Sequence, residues 1–572
     1  MATYIRLTDY KSSDEKEQEF FKSENRYEAK QEDFSKIPAS PIAYWVSSKV
    51  NKIFATSNIL KNIFTSGGRI KTHNNELYVR NIWEVEESKI KKTKEWKLYE
   101  NGGESLKWYG NKSYVVNWTN SALQEYKSHG GLTDSKYWNR EGITWSIIST
   151  NETSFRIKKN DSEFSSGSPT IFIEDEDKLI YTLSILNSKF YQNILKITAP
   201  TVNTSVGDVL RLPIIFPKPE IKQQIETLTQ QNINISKEEW DSRETSWDFT
   251  KNELIKHKSD SKIESSYSNY CNYWKEQFNT LHQNEEELNR IFIDIYELQD
   301  ELTPDVELKD ITILKNETKI IDNELVFQAD EIMKQFISYG VGVMFGRYSL
   351  DHKGLHIANM DESIDQANSK FNIKNSTFEA DDDNVIPVLE DDYFKDDIAS
   401  RFVQFVKAAF GEENLSENIR FIESSLGITL RKYFVKGFYE DHIKRYKKRP
   451  IYWMVASPKK GFMSLIYMHR YKSDVFATVQ NSYLREYITK LEASRENYQR
   501  EADDASNSNV QRNRATKEVE KINKILDEVI KFDREVLTAY AQNAVEIDLD
   551  DGVKVNYCKF KAILYEIKGL CK

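Results

Sequence analysis

KLYENGGESLKWYGNKSYVVNW, residues Lys97 to Trp118, sets a glycine-bounded polar turn ahead of a run rich in β-branched and aromatic residues. Ser113–Trp118 predicts a strand, and Asn101-Gly102-Gly103 predicts a turn before it. The same grammar recurs on both sides. Leu77–Arg80, Ile143–Ile148 and Thr170–Ile173 are further predicted strands, and Gly67-Gly68 and Gly130-Gly131 are further breaks. Leu183–Ile194 reads as a helix and Val209–Phe216 (VLRLPIIF) as a closing strand. Residues 37–220 therefore read as one mixed α/β domain, preceded by a polar connector or arm over residues 1–36.

Beyond it the period changes. Trp274, Phe278, Leu281, Leu288, Phe292, Ile295 and Leu298 recur at nearly heptad spacing. They predict a long amphipathic helix, packed on its neighbours, within a helical spacer over residues 221–345. Residues 346–480 read as a second mixed, basic domain. Residues 481–546 read as a helical hairpin, Ser482–Arg500 and Thr516–Gln542, with Asp503–Arg514 as its loop. Its seam is Val519, Ile522, Leu526, Val529, Phe532 and Val536. Residues 547–572 form a tail. The fold class is α+β.

At 572 residues the chain is long enough for about three or four folding units. Aromatics make up 12% of it, more ring surface than a disordered chain would carry. Cys271, Cys558 and Cys571 include no Cys-x-x-Cys pair, which argues against a disulfide scaffold and a cysteine zinc site. No apolar run is long enough to span a membrane and the first thirty residues are charged, so a reduced, cytoplasmic protein is expected. The net charge of −10 hides segregation. Residues 36–115 carry 14 Lys/Arg against 7 Asp/Glu, and residues 431–472 carry 12 against 2. Residues 285–331 carry 15 acids and 4 bases, and residues 376–400 carry 9 acids and one base. Two basic blocks on an otherwise acidic chain fit a polyanion partner.

The usual catalytic signatures fail on spacing. Gly340-Val-Gly342 with Gly346 lacks the third glycine of a dinucleotide loop and any following Lys-Ser/Thr, so close packing or a turn is expected there. Asp305, Glu307 and Lys309 spell a nuclease signature, but the acid sits too close to the Glu-x-Lys pair to lie on a separate strand. His352 and His356 flank a glycine and have no evident third ligand, so no metal site is expected. His442 and His469 read as packing or phosphate-contacting groups.

Lys107-Trp108-Tyr109-Gly110-Asn111 places a cation, two aromatic rings and an amide on one turn. That chemistry suits phosphate anchoring and base-edge contact. Core aromatics beside a solvated lysine are the equally simple reading. Phe34–Val46 (FSKIPASPIAYWV), Lys107–Asn111, Gly142–Ser146, Leu186–Ser188, Pro200–Asn203, Gly207-Asp208 and Leu212–Ile214 form one ordered set of strings. Trp240–Phe249, Leu288–Ile293, Met344–Asp351, Arg449–Trp453, Tyr467–Tyr471 and Asp548–Tyr557 continue it. Together they resemble the target-recognition region of the PglX family, the adenine-specific DNA methyltransferases of BREX phage-defence systems.

The resemblance implies that the family's catalytic domain precedes everything matched here. An adenine-N6 methyltransferase needs an Asn/Asp-Pro-Pro-aromatic loop, and none of the 11 prolines is adjacent to another. The chain is therefore expected to have no catalytic residues of its own. S-adenosylmethionine is expected in a missing catalytic half, encoded separately or as the rest of a longer protein. Implied partners are double-stranded DNA, that catalytic half, the phosphatase-like PglZ and an ATPase. Candidate DNA contacts are Arg69, Lys71, Lys107, Trp108, Tyr109, Asn111, Arg140 and Arg156 in the mixed domain. In the basic block they are Arg445, Lys447, Lys448, Arg449 and Arg470. The alternatives are an interaction scaffold of the defence complex, or a complete nuclease or methyltransferase with an unrecognised site.

Overall fold

The computed structural model describes the chain except for Lys36, Pro38, Ala39, Asn151, Pro200 and Lys572. Parts of the Phe34–Val46 and Pro200–Asn203 strings thus lie outside the described residues. The protein is α+β, with helices dominating after Pro219 and several small sheets. In the N-terminal arm, Ala2–Ile5 pairs antiparallel with Arg26–Ala29, and the Ser13–Phe20 helix lies between them in sequence.

Two four-stranded sheets form the mixed region. The first runs Ser162–Phe164, Trp96–Glu100, Tyr114–Asn117, Val79–Asn81, with only its first pair parallel. The second runs Phe64–Thr65, Thr170–Ile173, Gly142–Trp145, Phe155–Lys158, antiparallel throughout. Strand period explains why Tyr114–Asn117 sits inside. Val115 faces the main core, while Val116 faces a separate cluster of Ile70, Tyr99, Ala122 and Tyr126.

Three local readings are corrected. Leu183–Ile194 is two helices, Leu179–Leu186 and Lys189–Thr198. The break is Asn187, whose side-chain amide exchanges hydrogen bonds with the N–H and C=O of Phe155, both at 2.9 Å, before Ser188 caps the second helix. Val209–Phe216 is mostly not strand. Ser205 and Asp208 form a capping box that starts a helix at Val206–Leu210, and only Pro213–Ile214 pairs, with Asn58–Ile59. Leu77–Arg80 begins as a helical turn, because the Asn74 side chain caps Asn75–Tyr78.

The heptad-like pattern becomes the 33-residue helix Ile263–Ile295, burying Trp274, Phe278, Leu281, Leu288 and Phe292. It packs against the Pro219–Asp241 helix. The hairpin pairs Arg485–Asp503 with Asn509–Phe532. Its loop is shorter than expected because a Ser508–Gln511 capping box starts the second helix early. Gly340 and Gly342 serve close packing on the Ala329–Met344 helix. A Cβ on Gly342 would lie 2.5 Å from the Tyr348 ring, and one on Gly340 would lie 2.8 Å from Phe402.

The C-terminal string folds back onto the first sheet. Asp550 accepts from the Lys89 ammonium at 2.6 Å and the Trp96 indole at 3.0 Å, and its carbonyl accepts from Arg80 Nε at 3.1 Å. Glu84 accepts from the Val553 N–H at 2.9 Å. Gly552 has φ +79°, and a Cβ there would lie 2.5 Å from Arg80 Nε, so only glycine fits. One apolar core runs from Ile37 to Leu570. The expectation of a fully reduced chain fails at Cys558 and Cys571, which this return brings to a Cα separation of 5.5 Å and bonds as a disulfide. No helix among the described residues is long and apolar enough to cross a membrane.

His442 and His469 are core groups. His442 Nε2 accepts the Tyr452 N–H at 3.1 Å, and His469 Nε2 lies 3.3 Å from the Val85 carbonyl. Burial, reinforced by the nearby Arg347 charge, pulls the His469 pKa down to about 3. The unfolded state therefore binds a proton that the folded state refuses between about pH 6.5 and 3, and stability is lost as pH falls through that window. Replacing His469 by Gln removes this proton. The cost of His469→Gln, measured by urea denaturation, is expected to shrink by about 2 kcal/mol between pH 7.5 and 5. An unchanged cost would show that His469 titrates normally.

Candidate nucleic-acid interface

The Lys107–Asn111 turn is built on left-handed backbone, with φ +70° at Trp108, +133° at Gly110 and +61° at Asn111. It is held to the Phe155–Lys158 strand by Trp108 N–H to Phe155 O at 2.9 Å and Ile157 N–H to Trp108 O at 3.0 Å. Its side chains face inward. Glu285, on the long helix, accepts from Lys107 Nζ at 2.7 Å and from the Trp108 indole at 2.8 Å. Burial opposes the Lys107 charge, and Glu285 overrides it, leaving the Lys107 pKa raised. Asn111 donates to the Glu104 carbonyl at 2.7 Å and accepts the Glu104 N–H at 3.2 Å, closing the glycine turn. Tyr109 is buried, with Lys112 and Lys237 ammonium groups 5.3 and 5.4 Å from its ring centroid.

The other candidates divide by exposure. Arg69 and Lys71 are exposed beside the Gly67-Gly68 turn. Arg140 is half-buried and donates to the Ile173 carbonyl at 3.0 Å. Arg156 is buried, with no hydrogen-bond partner on any guanidinium nitrogen. Burial lowers its pKa to about 10, with the Glu100 charge opposing.

In the basic block, Lys447 and Lys448 occupy an exposed turn with φ +52° and +59°. Lys448 reaches the Lys568 carbonyl at 3.3 Å. Half-buried Arg449 lies 4.0 Å from Glu84, and its carbonyl accepts the Trp83 indole at 3.0 Å. Arg470 donates to the carbonyls of Phe345, Asp381 and Asp382 at 3.3, 2.6 and 3.0 Å, which ties it to the acidic loop.

The two basic regions meet in space. Lys447 Nζ lies 5.7 Å from the ring centroid of Tyr114, on the strand that follows the Lys107–Asn111 turn. A cleft of about 470 Å³ opens there, lined by Asn111 and Ser113 from the mixed region and Lys444, Arg445 and Lys447 from the basic block. Its floor is the Trp240–Phe249 string with Glu317. Glu244 accepts from Tyr446 Oη at 2.9 Å and Ser338 Oγ at 3.0 Å; burial raises its pKa despite the Arg445 charge. Arg243 pairs with Glu239 one turn earlier. Trp240 Nε1, Arg243 Nε, Glu244 Oε1, Glu317 Oε2 and Arg445 Nε are buried here without a partner in the protein. Residue-type reasoning passed over Arg243, Glu244 and Glu317. The available signal was the Arg-Glu pair between Trp240 and Trp247.

Removing Glu285 leaves the Lys107 ammonium buried and unpaired. Glu285→Ala is expected to cost about 3 kcal/mol or more in chemical denaturation. Asp300→Ala breaks the exposed Lys49–Asp300 pair and is expected to cost less than about 1 kcal/mol. Equal costs would show that the Glu285 link is not a structural joint.

No protein-family model matches the chain. It is 36% identical to the adenine-specific methyltransferase PglX of Lacticaseibacillus casei (strain Zhang) over 608 aligned residues, covering 98% of the chain and 48% of the relative. It is 33% identical to the adenine-specific methyltransferase BrxX of Escherichia coli O9:H4 (strain HS) over 574 residues, covering 94% of the chain and 46% of the relative. The chain spans about half the length of these curated relatives. Along nearly its whole length, it is a relative of the adenine-specific methyltransferases PglX and BrxX.

Proposed function

We propose that the chain is the DNA sequence-recognition part of a PglX-like adenine-N6 methyltransferase in a BREX phage-defence system. It would direct methylation to host sites and so mark self. The observation that carries this reading is the near-complete match of the chain to only half of each methyltransferase. The sequence has no adjacent prolines for the adenine-binding loop, so S-adenosylmethionine chemistry is assigned to the other half. Double-stranded DNA is the proposed partner, together with that half, a PglZ-type phosphatase-like component and an ATPase.

Phosphate contacts are assigned first to the exposed Arg69, Lys71, Lys447 and Lys448, with Arg140, Arg445 and Arg449 behind them. Lys107, Trp108, Tyr109 and Asn111 shape the turn that carries this face, and Arg470 braces the basic block. Methyl transfer to unmethylated host DNA tests the reading directly. Activity is expected only when a PglX-type catalytic half is added, and activity of the chain alone would overturn it.

Duplex affinity is expected to fall with salt at a log–log slope of about −0.9 per phosphate neutralised. Lys447→Ala with Lys448→Ala is expected to make that slope about 1.8 shallower in fluorescence anisotropy titrations. An unchanged slope would remove this turn from the interface.

A further inference from the structure

The cleft of about 470 Å³ between the mixed region and the basic block keeps polar atoms that are unbonded yet still open to solvent. Ser113 and Asn252 line it and are only 2% and 5% exposed. Asn252 Oδ1 caps the helical turn Glu253–Lys256, accepting the Leu254 N–H at 3.0 Å. Its Nδ2 and the Ser113 Oγ have no partner among the described residues, and neither atom is sealed from solvent. Gln335 shows the converse. Its Nε2 donates to Glu317 at 2.6 Å, which leaves Oε1 as an unspent acceptor on the same wall. Arg445 adds charge. Its Nε is sealed, but Nη1 and Nη2 are unbonded and open, beside the exposed Lys444.

The carboxylates of the wall do not cancel that charge. Glu331 pairs with Lys334 at 2.8 Å, and Asp441 accepts from Tyr433 Oη at 2.8 Å. The unbonded oxygens of Glu244 and Glu317 are sealed from any guest. Exposed Glu104 lies within the field of Lys447 and Arg243. An oxyanion suits the open guanidinium fork. Ser113 and Asn252 ask for acceptors, Gln335 Oε1 asks for a donor, and Trp240 and Phe249 ask for apolar surface. A bare phosphate offers no apolar face, and a glutamate-rich peptide offers no planar ring. A nucleotide brings all of these, because side-chain amides bond the donors and acceptors of base edges. The volume falls in the range of small-molecule sites, about 300–1,000 Å³.

We infer that this cleft is a nucleotide subsite, with the phosphate at Arg445 and the base toward the amides of Asn252 and Gln335. The nucleotide is either free or an extrahelical unit of DNA, and only the second source rests on the recognition reading above.

Calorimetric titration of the full chain with 5′-AMP, 5′-GMP and ribose 5-phosphate tests the subsite without DNA. At least one nucleotide is expected to bind, and more tightly than ribose 5-phosphate. Arg445→Gln is expected to weaken that nucleotide at least about tenfold. Asn252→Asp keeps the cap oxygen and replaces the donor, and a loss of at least about threefold is expected. No nucleotide binding by the native chain overturns the subsite. Ribose 5-phosphate binding as tightly as the nucleotides, or a loss confined to Arg445→Gln, reduces it to an anion site and also overturns it. The ribose 5-phosphate comparison uses the native chain, so it decides even where a variant fails to fold. Duplex DNA then separates the sources. Displacement of the bound nucleotide by duplex assigns the subsite to DNA, and simultaneous binding assigns it to a free nucleotide. If the chain binds the nucleotide but not DNA, the subsite stands and the recognition reading falls.

Discussion

Glu285 projects from a 33-residue helix into the mixed region, where each of its carboxylate oxygens takes one donor, the Lys107 ammonium and the Trp108 indole. In water such a pair would contribute little. Buried, it cannot be half-removed without stranding a charge, and that asymmetry makes it a joint. The turn it holds runs through three left-handed residues, Trp108, Gly110 and Asn111. This conformation persists because strand pairing and the Glu285 pair over-determine it. Aromatic and basic residues that read as a DNA-contacting loop are thereby turned inward, and of that turn only Asn111 lines the cleft.

A second closure acts from the far end of the chain. Asp550, Gly552 and Val553 dock on Arg80, Glu84, Lys89 and Trp96, 450 or more positions earlier in sequence. His469 and Trp83 tie the basic block to the same region through backbone carbonyls. These contacts hold the basic block against the mixed region, and the acidic loop that includes Asp381 and Asp382 is held to the block by Arg470. The cations are therefore divided by environment. Lys107, Arg470 and Lys158 are bonded within the protein, whereas Arg69, Lys71 and Lys447 remain exposed.

The fold class was legible because it rests on local period. Thr170–Ile173 is a strand with the bounds read from its residues, and the Trp274–Phe292 spacing gave the buried face of the long helix. The hairpin seam at Ile522, Leu526, Val529 and Phe532 was equally plain. The misreadings at Asn187, Ser205 and Asn74 are all places where a short polar side chain bonds backbone, three residues on at Ser205 and Asn74 and 32 positions away, at Phe155, for Asn187. Such a competition is settled by geometry and not by hydrophobic pattern.

The sequence by itself determined the element types, the segregation of charge and the strings that point to a methyltransferase family. Each of these depends on composition or on neighbours in the chain. Only the tertiary structure decided which cations are available, that Arg243, Glu244 and Glu317 floor a cleft, and that Arg156 is buried without a partner. Availability is a property of burial and pairing. Lys107 meets an acid 178 positions away, and Lys447 meets a ring more than 300 positions away, and no local pattern encodes contacts at that separation.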